Sequence, residues 1–242
     1  MRAAPFSTPM NERGKMRGVA LGLFRGLAAS YDRTVDVATA YQDRYWKRWI
    51  AEKMGLRHGT VVLDVGCGTL LLEERMSNSG SEFVGVDLTA EMARLGRAKG
   101  LANVPLVVNG DAESLPFADQ SFDAAVSCYV PKYVSVDVLA AELARVVKPG
   151  GTVALYDFAR PRGPAGPFLE VYIQAGLRVI GWALRSTHRP AASAFERLPL
   201  IIYGATWERE IVDAMERSGF EGVDATSLTA GVVFAYCGRK KP

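Results

Sequence analysis

Short runs of β-branched and apolar residues, mostly closed by an acidic residue or a glycine, recur along the middle of the chain with segments of helical period between them. The runs are Thr60–Asp64, Glu82–Asp87, Val104–Val108, Phe122–Ser127 and Thr152–Tyr156. The intervening helical segments are Leu71–Met76, Ala90–Lys99 and Val136–Val147. Continuous apolar strands alternating with helices require a parallel sheet covered on both faces. Right-handed crossovers make such a sheet doubly wound, and ligands then sit at the carboxyl ends of its strands. The fold class is therefore α/β, a doubly wound and mostly parallel sheet.

Outside this core, Phe24–Met54 reads as helical and carries Trp46-Lys47-Arg48-Trp49. Pro161–Pro167 breaks the chain before an apolar helix, Phe168–Leu184. Trp207–Ser218 is a further helix stopped by Gly219, and Val232–Cys237 reads as a last strand. The division this suggests is a tail and helical cap over 1–50 and an α/β domain over 51–242, with a helical lid inserted at 161–205.

Composition excludes several classes. With 49% hydrophobic residues and a net charge of +3, the chain is neither collagen-like, coiled-coil nor disordered. The basic excess is too small to argue for nucleic acid. Cys67, Cys128 and Cys237 are far apart and form no CxxC pair, so neither a disulfide framework nor a metal site is expected, and a reducing cytoplasm is the natural setting. Met1–Met16 holds no continuous apolar run, so it reads as a tail and not a signal peptide. Phe168–Leu184, the most apolar stretch, is interrupted by Glu170, Gln174 and Arg178 at four-residue spacing, which argues against a membrane span.

Four loops carry candidate chemistry. Asp64-Val65-Gly66-Cys67-Gly68-Thr69 follows a strand and opens a helix, where glycines let backbone approach a ligand. A dinucleotide fingerprint would place a third glycine at Leu71, which weakens a nicotinamide dehydrogenase reading. Asp87, followed by Leu88, ends the second strand and can accept both hydroxyls of an adenosine ribose. After the third strand, Asp111 can accept the exocyclic amine of adenine while the Ala112 amide reaches a ring nitrogen. Lys148-Pro149-Gly150-Gly151 reads as a tight turn from helix into strand. Each has a plainer alternative: Asp87 and Asp111 as loop caps, Gly150-Gly151 as a turn, Cys67 as a small residue beside a ligand.

Taken in order, VLDVGCGT, GVDLTAEM, GDAESLPFADQSFDAAVS and ELARVVKPGG resemble the class I S-adenosylmethionine-dependent methyltransferases over Val62–Tyr156. Phe24–Ile50, with Tyr31-Asp32, Arg44 and Trp46-Lys47-Arg48, and the terminal Ser227–Ala235 are similar to the opening and closing segments of the ubiquinone/menaquinone biosynthesis C-methyltransferases. The resemblance implies a seven-stranded Rossmann-like sheet, S-adenosyl-L-methionine as cofactor, and contacts to it from Asp64, Gly66, Gly68, Thr69, Asp87, Leu88, Asp111, Ala112 and Cys128. It also implies a lipophilic quinol acceptor. The chain departs from the family at Val35, Asp43, Lys132-Tyr133 and Tyr236, and the family's lid sequence is not legible in Arg197–Thr206.

Methylation of a quinol ring carbon needs the phenol deprotonated or polarised. Lys132 is the first catalytic candidate, as a cation beside a developing phenolate, against the plainer reading of a solvated lysine. Tyr31 is the second, as a hydrogen-bonding or acid–base group, against ordinary packing; Asp43 and Tyr236 follow, and His58 and His188 read as loop residues. Competing readings are a methyltransferase of a phospholipid amine or of a natural-product oxygen or nitrogen, and a catalytically silent cofactor-binding protein. The apolar helix reads either as buried against the core or a homodimer partner, or as a lid over a lipophilic substrate in peripheral contact with a membrane. Lys15, Arg17 and Arg25, interleaved with Val19, Leu21, Phe24 and Leu27, add a cationic amphipathic segment to the membrane reading.

Overall fold

A computed structural model describes residues 10–104, 106–164 and 166–242. The tail before Met10, and the side chains of Lys15, Arg17 and Val19, lie outside the described residues. In chain order the regular elements are α1 (Met10–Leu27), α2 (Tyr31–Ala38), α3 (Gln42–Lys53), β1 (Val61–Val65), α4 (Leu71–Arg75), β2 (Glu82–Asp87), α5 (Ala90–Ala98), β3 (Leu106–Asn109) and β4 (Phe122–Cys128). There follow α6 (Val136–Val146), β5 (Val147–Phe158), α7 (Gly166–Leu184), α8 (Arg189–Gly204), α9 (Trp207–Arg217), β6 (Phe220–Leu228) and β7 (Val233–Lys240).

The seven strands form one sheet in the order β3-β2-β1-β4-β5-β7-β6. The first five are parallel, while β7 runs antiparallel to both β5 and β6. This is the doubly wound, mostly parallel sheet expected from the sequence, and its winding reverses between β1 and β4. Side chains alternate across each strand. Leu63, Val65, Val153 and Leu155 therefore pack against α6 and α9 through Leu139, Leu143, Ile211 and Met215. Val62, Val126, Ala154 and Tyr156 face the other way, onto Trp46 and Ile50 of α3. Both faces are thus dry, as the continuous apolar runs require.

Several local readings change. Phe24–Met54 is not one helix: Ala40 and Tyr41 sit in the left-handed region, at φ 47° and 63°. Thr39 bridges that break, its hydroxyl donating to the Val35 carbonyl at 2.8 Å and accepting the Asp43 N–H at 3.3 Å. Lys148–Gly151 is a bulge inside β5, not a free turn, because Phe122 pairs with Val147 and Ala124 with Thr152. Met10–Met16 belongs to α1 and not to the tail, and two further elements were not read from the sequence. The helix α8 carries Pro199 in its interior, and β6 is a largely exposed edge strand without an apolar face.

The reading of α7 as buried against the core is also corrected. Its inner side packs on α8, where a Cβ at Gly181 would stand 3.3 Å from Phe195 Cβ. Its outer side leaves Phe168, Val171, Tyr172, Val179 and Trp182 exposed. The cationic amphipathic reading of α1 fails for the opposite reason. Leu23 and Leu27 pack with Ala194 and Phe195 of α8, and Leu21 and Phe24 face an internal cleft, so that apolar side is not free. Among the described residues no helix is long and apolar enough to cross a membrane.

Candidate active site

A cleft of 780 Å³ opens at the carboxyl ends of β1 to β4, where the winding reverses. Gly66, Gly68, Asp87, Leu88, Asp111, Ala112 and Cys128 line it, joined by Met92 and Val130. Gly66 is held at φ +80°, and a Cβ there would meet Val130 Cγ2 at 2.2 Å. Only glycine lets the loop pass that side chain. Gly68, at φ +56°, donates its N–H to Asp87 Oδ2 at 2.8 Å, and Thr89 N–H donates to Oδ1 at 2.7 Å. These bonds aim the carboxylate across the cleft mouth. Burial raises its pKa against the hydrogen bonds from Thr89 and Gly68. Asp111 Oδ1 accepts the Glu113 N–H at 3.0 Å, which shapes the loop after β3.

Three residues expected at this cleft or its edge lie behind its wall. Thr69 is buried and donates its hydroxyl to Asp32, tying the glycine loop to α2. Cys67 packs with Leu70, Ala93 and Val107, with Sγ where a Cβ on Gly85 would stand. Asp64 points beneath the loop beside Glu73 of α4, and both are buried. Burial lifts Asp64 to about 7 and Glu73 well above a normal carboxyl, so the two share a proton instead of carrying two charges. Cys128 does line the cleft, but burial raises its thiol pKa, which makes it a packing group and not a nucleophile.

A second cleft of 550 Å³, lined almost wholly by apolar groups, adjoins the first. Phe24, Tyr31, Tyr129 and Tyr133 belong to the walls of both. Its far side is Val35 and Ala38 of α2 and Ala194, Phe195 and Leu198 of α8. Tyr31 thus stands at the junction, with its phenol kept protonated chiefly by burial.

Lys132 faces this second cleft and is no solvated lysine: its side chain is 2% exposed. Its ammonium donates to Asp157 Oδ1 at 2.6 Å and to the Tyr129 carbonyl at 2.7 Å. The rings of Tyr133, Tyr129 and Phe158 surround it, with centroids at 4.6, 5.5 and 5.9 Å. Burial lowers the Lys132 pKa while Asp157 opposes the shift, and burial likewise raises Asp157 against its lysine. Asp157 and Tyr129 were missed in the sequence. The available signal was the one that picked out Asp87, a carboxylate at the carboxyl end of a parallel strand.

The remaining candidates lie elsewhere. Asp43 is buried in a network with Lys47 at 2.5 Å, Tyr129 at 2.7 Å and Arg75. Burial opposes its ionisation, but Lys47 and Arg75 hold its pKa below the ordinary value. Tyr236 donates to the Glu208 carbonyl at 3.1 Å inside the core. His188 Nδ1 caps α8 by accepting the Ala191 N–H at 3.2 Å. Of the positions that depart from the family pattern, Val35, Lys132 and Tyr133 gather in the second cleft, and none lines the first without also lining the second.

Comparison with known proteins agrees with this architecture. A methyltransferase-domain family model matches residues 63–155. The demethylmenaquinone methyltransferase of Tropheryma whipplei (strain Twist) is 30% identical over 233 residues, covering 95% of each chain. That of Mycolicibacterium paratuberculosis is 32% identical over 222 residues, covering 91% of this chain and 93% of its own. A crystal structure of a SAM-dependent methyltransferase from Aquifex aeolicus superposes with a TM-score of 0.56 at 20% identity, over 80% of this chain and 88% of that one, a likeness of fold.

Proposed function

The chain belongs to the family of the demethylmenaquinone methyltransferases, class I S-adenosylmethionine-dependent enzymes, and on that premise we propose that it methylates a ring carbon of a lipophilic quinol seated in the second cleft. One observation carries the proposal: the apolar cleft shares the wall of Phe24, Tyr31, Tyr129 and Tyr133 with the glycine-loop cleft and, among the described residues, holds one buried cation, Lys132, at its side.

The first cleft fits S-adenosylmethionine on its own geometry. Its glycine passage excludes any Cβ at position 66, and an aspartate stands at the end of β2. Asp87 would accept the ribose hydroxyls, since each carboxylate oxygen has a lone pair left after its one backbone bond. Asp111 and Ala112 would hold the adenine edge, with Leu88 and Met92 against its faces, while Gly66, Gly68 and Cys128 would flank the methionine moiety. Bound there, S-adenosylmethionine supplies a methyl group already activated on a sulfonium.

The chain's own part is alignment and charge. Holding two partners in reacting geometry contributes up to ~7–11 kcal/mol. A planar ring seated among Tyr31, Tyr129 and Tyr133 has its motion confined to the junction of the clefts. Two of the three Lys132 donors are used by Asp157 and the Tyr129 carbonyl, which leaves one for a quinol oxygen. Facing it, a developing phenolate gains a preorganised counter-charge in a dry pocket. Tyr31 would donate to the same ring system or order its approach. A phospholipid amine would instead bring a second cation beside Lys132, whose carboxylate partner Asp157 is already paired.

The test uses methyl-labelled S-adenosylmethionine, the pure protein and a reduced lipid extract, read by mass spectrometry. Label in a quinone is the expected result. Label in a phospholipid or another small molecule replaces the acceptor, and bound cofactor with no transfer marks a silent binding protein.

A further inference from the structure

We propose that the outward face of α7 docks on an anionic lipid surface, so that a lipophilic acceptor reaches the second cleft without crossing water. The route rests on the quinol reading; the docking rests on the surface alone.

Phe168, Val171, Tyr172, Val179 and Trp182 recur at three- and four-residue spacing along one side of the 19-residue helix and are 63 to 78% exposed. The opposite side is fixed, with Leu177 and Gly181 buried against α8. The usual arrangement is thereby inverted: the half-buried stripe is Glu170-Gln174, while solvent meets aromatic and branched side chains. A helix of about 28 Å fits flat in a bilayer interface. Trp182 and Tyr172 are the side chains whose rings settle at headgroup level.

Charge decides between a bilayer and a second copy of the chain. Residues 160–204 hold six arginines against two glutamates, a net +4 where the whole chain carries +3. Both glutamates are already paired, Glu170 with Arg160 and Glu196 with Arg185. Arg178, Arg189 and Arg197 are exposed and make no ion pair among the described residues. Two copies meeting across this face would oppose like charges, whereas an anionic bilayer complements them. A single helix, α8, lies between α7 and the cleft: it packs on Gly181 of α7 through Ala192, Phe195 and Glu196 and lines the cleft with Ala194, Phe195 and Leu198.

The full chain would be spun with vesicles of phosphatidylcholine alone and of phosphatidylcholine with phosphatidylglycerol. Expected are preferential sedimentation with the anionic vesicles, weakening with salt, and a blue shift of tryptophan emission. Trp182 is the most exposed of the four tryptophans, Trp46 and Trp207 being buried and Trp49 half-buried, and the shift should be lost in Trp182→Ser. Phe168→Ser/Trp182→Ser, both on the outward face, should weaken binding at least about tenfold while leaving the melting curve in place. A wild-type chain that stays in the supernatant with both vesicles overturns the proposal. So does binding that the double variant leaves unchanged, or a dimer that the variant dissolves in a chain that ignores vesicles. Turnover of a short-chain soluble quinol, measured in parallel, separates the two readings. Its survival without vesicle binding refutes the docking alone, and its absence with vesicle binding refutes the acceptor alone.

Discussion

Replacing Lys132 by Met separates what the buried ion pair does for folding from what it does for turnover. Lys132 and Asp157 meet at 2.6 Å with side chains 2% and 0% exposed. Removing one partner of such a pair leaves an uncompensated charge and costs about 3–5 kcal/mol. For a chain of 242 residues that is a fall in Tm of roughly 6–20 °C. The Lys132→Met/Asp157→Asn double variant removes both charges. The amide oxygen still accepts the Phe158 N–H, 2.7 Å from Asp157, while the Lys132 N–H, 3.2 Å from the other carboxylate oxygen, loses its acceptor, so most of the stability should return, leaving a deficit of about 1–3 kcal/mol. Turnover should not return: loss of one preorganised charge partner costs about 10²–10³-fold in kcat, with KM little changed. Thermal melts and single-turnover kinetics on all four corners of the cycle make the test. If the double variant recovers kcat along with Tm, Lys132 is a structural brace and the phenolate argument fails. Because burial lowers the Lys132 pKa, the wild-type alkaline limb of kcat should also fall at a lower pH than an ordinary lysine would give, and vanish in the double variant.

Three further outcomes are expected. Asp87→Ala should weaken S-adenosylmethionine binding at least about tenfold, since each lost charged hydrogen bond is worth about 1.5–3 kcal/mol; unchanged calorimetric affinity in a folded variant would end the ribose assignment. Gly66→Ala should lower both Tm and cofactor affinity, because the new Cβ meets Val130 Cγ2 and the φ of +80° costs about 1–2 kcal/mol more. Adding Val130→Ala should recover only part of the loss. Buried Asp64 holds its proton in the folded state and releases it on unfolding, so the stability it contributes is complete below about pH 4 and is lost as pH rises through about 7. Asp64→Asn should therefore flatten Tm against pH across that window, whereas curves parallel to wild type would show that Asp64 does not titrate there.

The parallel core was legible because its signals are local. A run such as Val61–Val65 is apolar on both faces, and the residues at its end must turn and meet a ligand. Gly66, Gly68, Asp87, Asp111 and Ala112 could thus be assigned to the loops that crown the strands, while Leu88 and Cys128 entered through the resemblance to the family; all seven line the one cleft. The edge strand β6 escaped because it pairs on one side only and shows mostly polar side chains to solvent. The helix α8 is harder to read because it carries Pro190 and Pro199, although the first lies at the start of the helix, where proline is tolerated.

Residue identity determined that strands would alternate with helices and that a glycine passage and two aspartates would crown them. Tertiary structure decided which side chains those loops turned inward, sending Asp64 and Thr69 behind the cleft wall. It also decided that Lys132, 25 residues from Asp157, would be buried against it, and that α7 would press its narrow side on α8 and leave its aromatic face outside. Backbone preference and apolar period act over a few residues, so a single sequence displays them. Burial, ion pairing and the facing of a helix depend on what arrives from the rest of the chain, and only the assembled sheet brings those partners together.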